Sequence, residues 1–201
     1  MPHTLARLLT GLLLLLATAW LSPANAAEPE NPIAGVRFDP RVNLGGQTVP
    51  LVATGVRAQF IFKGYAAGLY LGKPAGTAEA VVSQPGAKRL QMRLLIDVPM
   101  ADFAKAFRLG VERNNPPDVQ QRLAERSSQF VAQLMAVDKV RKGDTVNLDF
   151  LPGTGLQFTL NGKAMGPAVP GDDFYGALLK VFVGEHVSDN KLRAGLLGQK
   201  S

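Results

Sequence analysis

The sequence contains no cysteine and only two histidines, His3 and His186. Without cysteine there is no disulfide framework, no thiolate metal site and no sulfur nucleophile. A Ser-His-Asp arrangement would have to use His186, and no nucleophile-elbow pattern accompanies it. The same shortage leaves a dedicated metal site without ligands. Gly153-Thr154-Gly155 lacks the remainder of a phosphate-binding loop and reads as a turn. Neither a metal nor a cofactor is therefore expected. A dense basic run is also missing. The formal charge of +6 is spread over isolated residues such as Arg89, Arg93, Arg122, Lys139 and Arg193, with no interleaved aromatics. That pattern describes a solvated surface with a general attraction to anions, not a nucleic-acid face.

Only one long apolar run occurs, from Leu8 to Leu21, and it lies at the N-terminus. Arg7 precedes it, and Pro23-Ala24-Asn25-Ala26 supplies an Ala-x-Ala cleavage site after it. This is the pattern of a secretory signal peptide over residues 1–26. The run is short for a membrane span, so no stable span is expected once it is removed. The organisation that follows is a flexible, Pro-containing linker over 27–34 and a single domain over 35–201, periplasmic or secreted. A cysteine-free exported domain of this length must rely on its apolar core.

Periodicity along the domain alternates between two and about 3.6 residues. Gly35–Phe38 and Thr48–Ala53 are expected to form a hairpin around Asn43-Leu44-Gly45-Gly46, and Gly55–Leu71 two further strands. Arg89–Val98 alternates, with Leu90, Met92, Leu94 and Ile96 on one face and Gln91, Arg93 and Asp97 on the other. Met100–Glu112 and the segment opened by Pro116-Pro117 carry apolar residues at helical spacing. A meander follows over Thr145–Met165, with Asn161-Gly162 as its hairpin turn. Asp172-Asp173 opens a helix that Gly184 stops, and Asp189 starts a last short one. Strands and helices in this order indicate an α+β fold, one antiparallel sheet covered on one face by helices.

The stretch from Gly55 to Leu71 carries the chemistry. Arg57 stands at the entrance of an apolar strand pair. Gly64, Ala66, Ala67 and Gly68 leave room beside Tyr65 and Tyr70. Small residues in a strand mark a close approach to the backbone. A guanidinium beside an aromatic wall can hold one planar anion. Against this stands the plainer view that Arg57 snorkels over the sheet and Tyr65 is a core residue. Tyr70 reads as core and Lys63 as solvent-facing. Arg113-Asn114-Asn115 reads as one helix's C-cap followed by the next one's N-cap.

Gly55-Val56-Arg57, Gly68-Leu69-Tyr70-Leu71, Arg113-Asn114-Asn115 and the Phe174–Gly184 segment occur in an order that resembles the chalcone isomerase-like family, in its exported bacterial branch. The resemblance spans Gly35 to Gly198. It implies an open-faced β-sandwich with a cleft between a large sheet and a helical layer. In the plant enzymes an arginine in a Gly-Val-Arg context holds the phenolate of the chalcone, and that position matches Arg57. A family threonine falls on Tyr65. The family's active-site tyrosine and asparagine map to the Val119–Gln133 segment, which contains neither. A further Ser/Thr position falls near Val181.

The resemblance thus implies a binding protein for a small amphipathic acid, a fatty acid or a phenolic. Arg57 and Tyr65 would grip the head, and Phe60, Phe62, Phe107 and Phe130 are candidates for the apolar part of the cleft. A second reading is an isomerase or intramolecular lyase. Arg57 would stabilise a phenolate or enolate, and Tyr65 or water would move the proton. A third is an envelope protein-interaction module with no small ligand.

Overall fold

The structure, a computed structural model, describes residues 32–59 and 62–199. The expected signal peptide over 1–26 and the expected linker up to residue 31 lie outside the described residues. The end of the linker is a closed turn, in which Ile33 and Val36 exchange backbone hydrogen bonds of 2.9 and 3.0 Å.

Strands β1 (Arg41–Leu44), β2 (Gln47–Gln59), β3 (Phe62–Tyr70), β4 (Lys88–Leu94), β7 (Thr145–Leu151), β8 (Gly155–Leu160) and β9 (Lys163–Ala164) form one seven-stranded sheet in the order β1-β2-β3-β4-β7-β8-β9. Its neighbours all pair antiparallel. Strands β5 (Val98–Pro99) and β6 (Lys139–Val140) form a separate antiparallel pair. The helices are α1 (Ala78–Val82), α2 (Met100–Asn114), α3 (Pro117–Met135), α4 (Asp172–Val183) and α5 (Asn190–Leu196). This is the expected α+β, open-faced β-sandwich.

The sheet's two faces differ because the strands alternate. Leu90, Met92 and Leu94 of β4 join Leu148 and Phe150 of β7 and Phe158 of β8 in the main core, against Phe107, Phe130, Leu178 and Leu192 of the helices. Phe130 meets Phe107 edge-on at 5.0 Å between ring centres. Helix α4 is buried at six consecutive positions, Phe174 to Leu179, so it has no solvent stripe. The other face of the sheet is a polar ladder. Arg89 grips Asp149 through two hydrogen bonds of 2.6 and 2.7 Å. Gln91 donates to Asn147 at 2.8 Å, and Asn147 donates to Thr159 at 3.1 Å.

Two boundaries depart from the sequence reading. The first strand is Arg41–Leu44, not Gly35–Phe38, because Gly45 and Gly46 (φ +56° and +83°) make a two-residue turn that pairs Leu44 directly with Gln47. The strand expected over Arg89–Val98 ends at Leu94. There the chain bends, with Leu95 N–H donating to the Gly64 carbonyl, and Ile96 emerges 42% exposed. Asn161-Gly162 forms its hairpin as expected, with both residues at positive φ.

The small residues of β2 and β3 do mark close approaches, and the approaching groups belong to the chain itself. A Cβ on Gly68 would lie 2.8 Å from the Phe38 ring. On the helical side, α5 lies against β2, where Cβ atoms on Gly55 and Gly195 would meet the Leu192 carbonyl at 2.9 Å and the Thr54 carbonyl at 2.7 Å. An alanine normally favours a helix over glycine by about 1 kcal/mol. At position 195 the contact should reverse that sign. Gly195→Ala is expected to destabilise the fold by about 1–3 kcal/mol, as overpacking does, measured as a lower urea midpoint at unchanged slope. A midpoint equal to or above that of the wild type would refute the close packing.

Candidate functional site

Arg57 and Tyr65 are register partners on β2 and β3, so both side chains leave the same face of the sheet, the one beneath the helices. They line a cavity of about 370 Å³ with walls from the sheet, α2, α3, α4 and α5. The wall is largely aromatic and aliphatic: Phe103, Phe107, Phe130, Leu178 and Phe182. Phe107 and Phe130 thus stand where the sequence reading put them. Phe60 and the side chain of Phe62 lie outside the described residues.

The pairing register shifts immediately after Arg57. Such an irregularity re-aims the backbone, and here the Ala58 N–H donates to the Asp189 carboxylate at 3.1 Å. Arg57 donates to the same oxygen through Nη1 at 2.9 Å. Asp189 is also the N-cap of α5, accepting the Lys191 and Leu192 N–H groups on its other oxygen, each at 2.9 Å. Burial alone would raise its pKa, but these hydrogen bonds and the Arg57 charge outweigh it and hold the carboxyl below the usual range. Its side chain is 8% exposed, that of Arg57 29%.

Tyr65 is partly buried, with its ring stacked on Phe103 at 6.1 Å. Its hydroxyl has no hydrogen-bond partner among the described residues. Burial raises its pKa strongly, Arg57 opposes the rise and Asp189 reinforces it. At neutral pH the phenol is therefore a hydrogen-bond donor and not a base. The remaining titratable groups on the wall are Asp97 and Asp102, both exposed and so at the open end. From α3 the cavity receives Phe130 and Leu134, and from α4 Val181, so the helix side of the wall near these positions is apolar. The arrangement can hold one oxygen-bearing head against Arg57 and Tyr65, with an apolar body among the aromatics.

Residues read as structural stay so. Tyr70 is fully buried, its hydroxyl donating to the Asp39 carbonyl, and Lys63 is exposed. Asn114 clamps the loop after α4 through the backbone of His186, and Asn115 is the C-cap of α2, while the N-cap of α3 is Pro116 and not, as expected, one of these residues. Asp173 pairs with Arg126 and not with another carboxylate. Among the described residues no group of three or more His, Asp or Glu side chains could hold a metal ion. No described helix is long and apolar enough to cross a membrane.

A family model for chalcone isomerase-like proteins matches residues 30–198. The chain belongs to the chalcone isomerase-like family. A fatty-acid binding protein from Arabidopsis thaliana has a similar crystal structure, with a TM-score of 0.60 and 16% identity, over 83% of this chain and 94% of that one. At that identity the likeness is one of fold. No curated protein matches the sequence.

Burial raises the pKa of all three tyrosines, that of Tyr70 to about 12 with a further push from Asp39. The folded chain then keeps phenolic protons that the unfolded chain releases near pH 10, so stability falls as pH rises from 10 towards 12. Spectrophotometric titration should show no tyrosinate at pH 10 in the native protein and a midpoint near 10 in denaturant. Tyrosinate appearing in the native protein at the denatured midpoint would contradict the burial of these rings.

Proposed function

We propose that this member of the chalcone isomerase-like family is an exported binding protein for a small amphipathic acid, a fatty acid or a phenolic, and does not cyclise chalcones. The observation that carries the reading is the side-by-side placement of Arg57 and Tyr65 in a cavity whose wall is largely aromatic and aliphatic, with Asp97 and Asp102 at its open end. Arg57 retains Nε and Nη2 as donors without partners among the described residues, and Tyr65 adds a neutral O–H. The head group would lie on these donors and the apolar body against Phe103, Phe107 and Phe130. The fold shared with a plant fatty-acid binding protein is consistent with this use. Apolar side chains at Phe130, Leu134 and Val181 argue against proton transfer from α3 and α4. Export rests on the N-terminal pattern of Arg7, the Leu8–Leu21 run and Ala24-Asn25-Ala26.

Arg57→Ala should weaken binding of acidic probes by at least about tenfold, the scale of a lost charge-assisted hydrogen bond, while leaving the circular dichroism spectrum native. Folding survives because Asp189 keeps three backbone N–H donors. Isothermal titration with a medium-chain fatty acid and an alkylphenol reads the effect. A folded Arg57→Ala protein with wild-type affinity for both would sink the proposal. Expressed with its N-terminus intact in a bacterium, the protein should be recovered outside the cytoplasm with residues 1–26 removed, by intact mass. A 201-residue mass would dismiss the export part alone.

A further inference from the structure

The charge on the cavity wall runs against a fully ionised ligand. Among the described residues Arg57 is its one cation, and Asp97, Asp102 and Asp189 are carboxylates. Asp97 is partly offset by Lys139 at 3.6 Å. Asp189 is different, because its neutraliser is Arg57 itself. A carboxylate has about four acceptor positions, and here four N–H groups fill them, from Arg57, Ala58, Lys191 and Leu192. Three of those donors are backbone, so the carboxylate is built into the joint between β2 and α5 and cannot swing away to make room. A ligand carboxylate on the free edge of the guanidinium would meet Arg57 already paired. It would also face the fixed negative charge of Asp189.

We propose that Asp189 sets the charge selectivity of this cavity, favouring ligands whose oxygen head is uncharged at neutral pH, such as a phenol, over carboxylate anions of the same size. The inference rests on the Arg57–Tyr65 binding site proposed above and chooses between its two ligand classes. Near-neutral pairing leaves Arg57 and Tyr65 as directional donors to an uncharged oxygen, which loses little from the presence of Asp189. A second full negative charge at this point is disfavoured by the repulsion between like charges.

The test uses a matched pair, 4-butylphenol and 4-butylbenzoate, titrated into the wild type and Asp189→Asn. Asparagine is as good an N-cap as aspartate, so α5 should stay in place. The wild type is expected to bind the phenol at least as tightly as the benzoate. In Asp189→Asn the benzoate should gain roughly tenfold relative to the phenol, as removal of one nearby charge in a semi-polar site implies. If Asp189→Asn loses its native spectrum, Asp189→Ser, which keeps a cap hydroxyl, is read by the same ratio. An unchanged ratio, or an equal loss for both probes, overturns the role of Asp189 and leaves the binding site standing. A wild type that binds neither probe overturns the binding site as well.

Discussion

The joint between β2 and α5 determines the site. It is made by two glycines that let a helix lie against a strand, and by one carboxylate that ties the helix's first turn to Arg57 and Ala58. Without Gly55 and Gly195 the helix would stand off from the sheet, and Asp189 would not reach the guanidinium. Without Asp189 the end of β2 and the start of α5 would have only apolar contact in common. The cavity is thus not a gap left by imperfect packing. Its polar end is a structural connection whose remaining donors face inward, and its other walls are surfaces that the core builds anyway.

The rest of the core explains why the cavity can stay apolar. Helix α4 is buried at six consecutive positions and hydrogen-bonds to the sheet through the Tyr175 hydroxyl, which donates to the Leu148 carbonyl at 2.9 Å. That fixes the central layer. Phe130 then makes edge-to-face contacts with Phe107, Phe158 and Phe174. Such ring pairs hold their geometry beyond simple area burial, so the aromatic wall is as rigid as the core it extends. Arg89, Gln91, Asn147 and Asp149 lie on the opposite face, where Arg89 and Asp149 satisfy each other.

Much of the fold was legible because periodicity is local. The alternation of β4, the apolar stripes of α2 and α3, the Asn161-Gly162 turn and the Asp189 cap could each be read from a few neighbouring residues. Misplaced boundaries came where a distant contact decides. Ile96 continues the alternation of β4 on paper, yet the chain turns away at Leu95 to pair with Gly64. At the cavity, Arg57 was singled out by its Gly-Val-Arg context and Tyr65 by the family resemblance, and the structure sets the two side by side on its wall. The meaning of Asp189 was not found. A cap signal is short-range, whereas its pairing with Arg57 joins positions 132 apart, and no local pattern encodes that. The buried Arg89–Asp149 pair escaped for the same reason: alternation places both side chains on one face of their strands but does not say which strands are neighbours.

The sheet ends in very short strands on both sides, β1 with four residues and β9 with two. Between them, five strands have both neighbours in place. An unpaired strand edge is a template for another chain, and its length sets how much ladder a newcomer can form. β1 covers only Gln47 to Pro50 of β2, so the outer edge of β2 from Leu51 to Gln59 has no strand beside it among the described residues. What blunts that edge is irregularity, since the register shifts between Leu51 and Ala53 and again after Arg57, and a bulged edge offers no flat ladder for a second copy to extend.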